Sequence, residues 1–231
     1  GIVGAICNRD VFGILIEGLK RLEYRGYDSA GLSLIDANSC LNTQKTIGRV
    51  ADLEDLFNGE IPNGGLGIAH TRWATHGVPS SANSHPHTSG SISVVHNGII
   101  ENHNLLKEEL RDRGATLSSE TDSEVIAHLI EFYSSETDSL KEAVNKTLSR
   151  IEGAYAICVI SKDYPDKMIG ARSGSPLVIG LGIGEHFMAS DQMALRQVTD
   201  RFIYLEEGDI AEVSKNEILI FDDNGELVER E

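Results

Sequence analysis

Ile92-Ser93-Val94-Val95-His96-Asn97-Gly98-Ile99-Ile100-Glu101-Asn102-His103 begins as an apolar run and turns abruptly polar. Ile92 to His96 reads as a buried strand, and the Asn97-Gly98 pair suits a sharp turn at a strand edge. That turn is either an ordinary hairpin or a place where donors are presented. The Gly98 N–H and the Asn97 side-chain amide can converge on one point, as stabilisation of a tetrahedral oxyanion requires. Upstream, Arg72-Trp73-Ala74-Thr75-His76-Gly77 gathers a planar guanidinium suited to a carboxylate, an aromatic ring, and polar groups on Thr75 and His76. A surface loop after a strand is the alternative there, with Trp73 as plain packing.

Working outward, Gly1 to Cys7 alternates small residues with Ile and Val like a buried strand, and Asp10 can cap a helix over Val11 to Tyr24. Val11, Ile14, Leu15, Leu19 and Leu22 share one face of that helix, and Gly26 stands where a terminator is expected. Strand-like runs follow at Gly31 to Ile35 and Gly65 to Arg72. Beyond Ile92 to His96 come helical patterns over Asn104 to Arg113, Asp122 to Tyr133 and Leu140 to Ile151. After Gly153 short strands return at Ala154 to Ser161, Lys167 to Arg172, Pro176 to Ile179, Phe187 to Ala189, Phe202 to Leu205, Ile210 to Val213 and Ile218 to Phe221. Gly180-Leu181-Gly182-Ile183-Gly184 reads as a hairpin turn, since no helix or suitably placed acid makes it a nucleotide loop. Runs of strands kept apart from runs of helices predict an α+β domain with largely antiparallel sheets, with no linker between halves.

The chain has 231 residues and a formal net charge of -16, which argues against nucleic acid or an anionic membrane surface as partner. No stretch has the apolar length of a transmembrane helix, and the start lacks the pattern of a signal peptide, so a cytoplasmic location is expected. Cys7, Cys40 and Cys158 are odd in number and widely spaced, and predict reduced thiols without a disulfide framework or zinc site. The histidines of His85-Pro86-His87, with His70, His76 and His96, lack the carboxylate and cysteine spacing of a metal centre. No cofactor is expected.

The two opening segments occur together with Arg21-Leu22-Glu23-Tyr24-Arg25-Gly26-Tyr27-Asp28-Ser29-Ala30-Gly31 and Glu120-Thr121-Asp122-Ser123-Glu124-Val125-Ile126. Farther on stand Ala171-Arg172-Ser173-Gly174-Ser175-Pro176-Leu177, Ala189-Ser190-Asp191-Gln192 and Leu205-Glu206-Glu207-Gly208-Asp209. This set resembles the glutaminase domain of the glucosamine-6-phosphate synthases, class II glutamine amidotransferases, over the whole chain. Glutaminase domains of purine, asparagine or glutamate synthesis share the mechanism, but the R-G-Y-D-S-A-G and R-W-A-T-H-G segments favour the glucosamine branch.

The resemblance implies the N-terminal-nucleophile hydrolase fold, a four-layer αββα sandwich. It also implies hydrolysis of L-glutamine to L-glutamate and ammonia, and a partner synthase domain in a dimeric full-length enzyme. A nucleophilic cysteine is expected directly before Gly1, its α-amine serving as base; without it, the expected activity is binding of glutamine or glutamate without turnover. By the same resemblance Asn97 and Gly98 form the oxyanion hole, Arg72 holds the substrate α-carboxylate and Asp122 its α-ammonium. Thr75 and His76 line the pocket, Trp73 belongs to its closing loop, and Arg25 lends positive charge near the nucleophile. From the residues alone, Thr121 or Asp122 reads first as a helix N-cap, and the alternative for Arg25 is a salt bridge to Asp28 or Glu23.

Overall fold

A computed structural model describes residues 1–231. The chain opens with β1 (Ile2–Cys7), α1 (Phe12–Leu22), β2 (Ser29–Ile35), β3 (Leu41–Ile47), α2 (Val50–Asp55) and β4 (Leu66–Arg72). β5 (His87–Ser89) and β6 (Ile92–Ile100) lead into α3 (His103–Asp112), α4 (Glu124–Ser134) and α5 (Leu140–Leu148). Next come β7 (Gly153–Ser161), β8 (Met168–Ser173), β9 (Val178–Leu181) and β10 (Glu185–Ala189). The last strands are β11 (Phe202–Tyr204), β12 (Ile210–Val213), β13 (Ile218–Phe221) and β14 (Leu227–Val228). They form two seven-stranded antiparallel sheets, ordered β11-β9-β10-β1-β4-β2-β3 and β14-β13-β12-β8-β7-β6-β5.

Both faces of the central strands are apolar, so each sheet must be covered twice. On β1, Val3, Ala5 and Cys7 pack with Leu15 and Leu19 of α1 and Leu53 of α2. Ile2 and Ile6 face the other way, joining Ile68 of β4, Val95 of β6 and Cys158 of β7 in the layer between the sheets. On the far side, Val94, Ile157 and Val159 meet Leu106 of α3, Ile126 of α4 and Val144 of α5. The outcome is helix, sheet, sheet, helix, the αββα order expected above.

Several details depart from expectation. α1 ends at Leu22 and is continued by a 3-10 turn, Glu23–Arg25. Asp10 does not cap it: its carboxylate accepts the Gly64 N–H at 3.0 Å, and Val11 holds the N-cap position. Strand β6 does not turn at Asn97-Gly98 but runs on to Ile100, with Asn97 opposite Ala156 and Gly98 opposite Tyr155 of β7. Gly98 makes this possible, because its φ is 124° and a Cβ there would lie 2.1 Å from the Ala154 carbonyl oxygen. β3, α2, β5 and β14 had no counterpart in the sequence patterns. The glycine-rich 180–184 segment is the hairpin joining β9 to β10, where Leu181 pairs with His186. No helix is long and apolar enough to cross a membrane.

Candidate active site

The start of β1, the end of β4 and the Asn97-Gly98 segment of β6 meet around a cavity of about 260 Å³. Register brings this about. β1 pairs with β4 so that Ile2 opposes His70, and one residue farther on the Gly1 nitrogen donates to the Thr71 carbonyl at 2.7 Å. The Thr71 N–H returns a bond to the Gly1 carbonyl at 3.0 Å. Gly1, Arg25, Arg72, Trp73, Thr75, His76, Asn97, Gly98 and Asp122 all line this cavity.

Arg72 is buried at the end of β4. Its Nη2 donates to the carbonyl of His76 and, at 3.1 Å, to that of Gly77, which folds the following loop back over the strand end. Nη1 lies 3.8 Å from Asp28 and has no hydrogen-bond partner. A buried guanidinium nitrogen left unpaired is costly, and on a polar cavity wall it suits an incoming carboxylate.

Asp122 faces Arg72's cavity from the loop before α4. Its Oδ2 accepts the Ile100 N–H at 2.7 Å and its Oδ1 lies 3.8 Å from His76 Nδ1, itself buried without a partner. Neither Asp122 nor Thr121 caps α4. The helix begins at Glu124 with Ser123 in the N-cap position and no side-chain cap bond, while Thr121 Oγ1 meets His87 Nε2 at 3.0 Å. The cavity thus holds a fixed positive group and a fixed negative group on separate elements, as a zwitterion requires.

Arg25 pairs with neither Asp28 nor Glu23. Its Nη2 meets Asp191 at 2.7 Å, and its Nε donates to the Tyr24 hydroxyl at 2.7 Å. Asp28 instead accepts from Ser29 Oγ, and Glu23 from the Val50 N–H. Gly26 lets this segment lie against β4, since a Cβ there would sit 2.7 Å from the Arg72 carbonyl carbon. Trp73 is 62% exposed at the rim, edge-on to Tyr27 with ring centroids 5.8 Å apart, so it is not core packing.

Sequence reasoning missed the residues beneath these. Ser190 Oγ accepts the Ile2 N–H at 2.9 Å, tying β1 to the segment that carries Asp191. His70, His85 and His96, weighed above only as metal ligands, line the cavity, and His87 lies beside them. No group of three or more His, Cys, Asp and Glu side chains is arranged to hold a metal ion. Burial holds all four imidazoles below their ordinary pKa, His87 at about 3; at His96 the charge of Asp122 opposes the shift without cancelling it. Cys7 and Cys158 lie outside the cavity, and burial pushes both thiols up, Cys7 to about 12 with help from Glu185.

A family model described as a glutamine amidotransferase domain matches residues 70–197, more than half the chain and most of the cavity wall. The chain belongs to the glutamine amidotransferase family. This amidotransferase chain is 57% identical over 231 residues to the glutamine–fructose-6-phosphate aminotransferase (isomerizing) of Vibrio vulnificus strain CMCP6, and 56% identical over 232 residues to that of Pseudomonas putida. Each match covers 100% of the chain but 38% of the relative's length. Among solved structures, the Bacillus subtilis glutamine phosphoribosylpyrophosphate amidotransferase superposes with a TM-score of 0.83 at 27% identity. That match covers 98% of this chain and 50% of the other. The amidotransferase fold is therefore the N-terminal-nucleophile type, with two antiparallel sheets between helical layers.

Proposed function

We propose that residues 1–231 are the glutaminase domain of a glutamine–fructose-6-phosphate aminotransferase, releasing ammonia from L-glutamine for a synthase domain beyond them. The observation that carries this reading is the position of Gly1, which lines the same cavity as Arg72, Asp122, Asn97 and Gly98. A cysteine joined to the Gly1 nitrogen would stand beside that cavity, with its thiol and its α-amine on one residue. The full-length enzyme would be cytoplasmic and dimeric, with fructose 6-phosphate as the acceptor.

In this reading the Arg72 guanidinium binds the glutamine α-carboxylate and Asp122 its α-ammonium, presenting the side-chain amide toward β6. The α-amine of the cysteine takes the thiol proton. Sulfur adds to the amide carbon, and the oxyanion is met by Asn97 Nδ2 and the Gly98 N–H. The amine returns its proton to the departing nitrogen, the C–N bond breaks and ammonia leaves. Water then cleaves the γ-glutamyl thioester to glutamate and regenerates the thiol. Trp73 and the loop held by Arg72 close the mouth against bulk water.

The test is a pair of chains with cysteine or alanine before Gly1, assayed for glutamate and ammonia from L-glutamine and titrated calorimetrically with L-glutamate. Both chains are expected to bind glutamate, and only the cysteine chain to hydrolyse. Failure of either to bind would refute the pocket assignment.

A further inference from the structure

His70 of β4 and Asn97 of β6 occupy the positions where the layer between the sheets gives way to the cavity. Leu66 and Ile68 precede His70 on the same face of β4, and Val95 precedes Asn97 on that of β6. His70 Nε2 lies 3.1 Å from the His96 carbonyl oxygen and 2.9 Å from Asn97 Oδ1. A backbone carbonyl only accepts, so Nε2 must carry the ring proton. The end of the Asn97 amide that shares this proton must then be its oxygen. A flipped Asn97 would set N–H against N–H and lose the bond.

The other ring nitrogen agrees. His70 Nδ1 is buried and without a partner, as an acceptor in the neutral Nε2–H tautomer can be more cheaply than a donor. The ring stacks on His85 with centroids 4.1 Å apart and planes at 23°, and His85 Nδ1 accepts the His96 N–H at 3.3 Å. The ring is thus clamped by its stack and by a backbone bond that does not depend on Asn97.

We propose that His70 is a positioning residue for the reaction: its Nε2–H fixes the Asn97 carboxamide with Nδ2 turned into the cavity before substrate arrives. This inference rests on the reading of Asn97 as an oxyanion donor. Burial keeps the imidazole neutral at working pH, so the orientation holds without a titrating switch. An oxyanion donor works because it needs no reorganisation during the reaction, and a freely rotating amide forfeits part of that advantage.

The experiment compares His70→Ala, His70→Gln, Asn97→Ala and the double variant His70→Ala/Asn97→Ala in the full-length protein with cysteine before Gly1. His70→Ala is expected to lower kcat on the order of 10- to 100-fold with KM and glutamate affinity retained. His70→Gln, whose side-chain N–H can replace Nε2–H, should recover most of the loss, and His70→Ala should cost nothing further on the Asn97→Ala background. An equal loss on that background, or a loss expressed in KM, would overturn the positioning role. Full turnover by Asn97→Ala would overturn the oxyanion reading itself; full turnover by His70→Ala beside a crippled Asn97→Ala would overturn only the role of His70. Ring-nitrogen NMR of the unsubstituted protein tests it without any variant that must fold: a neutral Nε2–H tautomer is expected for His70, and an Nδ1–H tautomer or an imidazolium at pH 7 would overturn it.

Discussion

Replacing Asp122 by Asn separates ligand recognition from folding at one atom pair. The carboxylate uses Oδ2 to accept the Ile100 N–H at 2.7 Å, an internal duty that an amide oxygen can perform equally well. Once that oxygen is committed to Ile100, the amide NH2 replaces Oδ1 on the cavity side and meets a substrate ammonium donor to donor. A hydrogen bond to a charged group contributes about 1.5–3 kcal/mol, which at about 1.4 kcal/mol per factor of ten weakens binding roughly 10- to 150-fold. Thermal stability should change little, because the buried N–H keeps its partner and Oδ1 gives up only a long bond from Ser123 Oγ at 3.4 Å, a hydroxyl that keeps His96 Nδ1 at 2.7 Å. Asp122→Ala should weaken binding similarly and also lower stability by about 1–3 kcal/mol, the cost of orphaning the Ile100 N–H. Calorimetric titration with L-glutamate, alongside thermal unfolding, reads both effects. Unchanged glutamate affinity in a folded Asp122→Asn protein would refute the assignment of Asp122 to the ammonium.

Asn97→Ala should lower turnover by about 100- to 1,000-fold while leaving glutamate affinity largely intact, since the oxyanion exists only after attack; steady-state kinetics and calorimetry decide. Gly98→Ala should lose both turnover and stability, because its methyl group would meet the Ala154 carbonyl at 2.1 Å on a backbone of φ 124°; a stable, active variant would contradict the register drawn here. Arg72→Ala should raise the Kd for glutamate, and an unchanged titration would return Arg72 to a purely structural role in holding the His76-Gly77 turn. Acid should destabilise the fold through the buried histidines. Their unfolded-state imidazoles take up protons near pH 6.5, whereas the folded ones do so only well below it, His87 at about 3. The stability they contribute is therefore complete above pH 6.5 and is lost as pH falls toward 3, by up to about 1.4 kcal/mol per pH unit for each group. Urea unfolding between pH 7 and pH 5 checks this, and a flat profile would contradict it.

Much of the architecture was legible because burial is written into periodicity. The face of Ile14, Leu15, Leu19 and Leu22 identified α1, and the apolar runs at Ile92, Ala154 and Ile210 identified strands that are buried in the structure. β3 escaped because it is a half-exposed edge strand, Leu41-Asn42-Thr43-Gln44-Lys45-Thr46-Ile47, whose inward-facing Thr43 and Lys45 are polar and bond to Ser33 and the Ser84 carbonyl, so no apolar alternation marks it. α2 has six residues, too few for a helical period to declare itself. The Asn97-Gly98 turn was misread because an Asn-Gly pair has the same local preference whether a chain reverses or merely needs a positive φ inside a ladder. Only the pairing with β7 decides between them. At the cavity, the residue types of Arg72 and Asp122 announced charge recognition. The Arg25–Asp191 pair and the His70–Asn97 bond join residues distant in sequence, and only strand order brings them together.

The proposed chemistry turns on one step, acylation by glutamine of a cysteine joined to Gly1. Rapid acid quench of the cysteine-bearing chain turning over L-glutamine, followed by intact mass and peptide fragmentation, tests it directly. A glutamyl-sized adduct confined to that cysteine, and lost in Arg72→Ala, is expected. An adduct on Cys7 or Cys158, or steady hydrolysis with the residue before Gly1 changed to alanine, would contradict it.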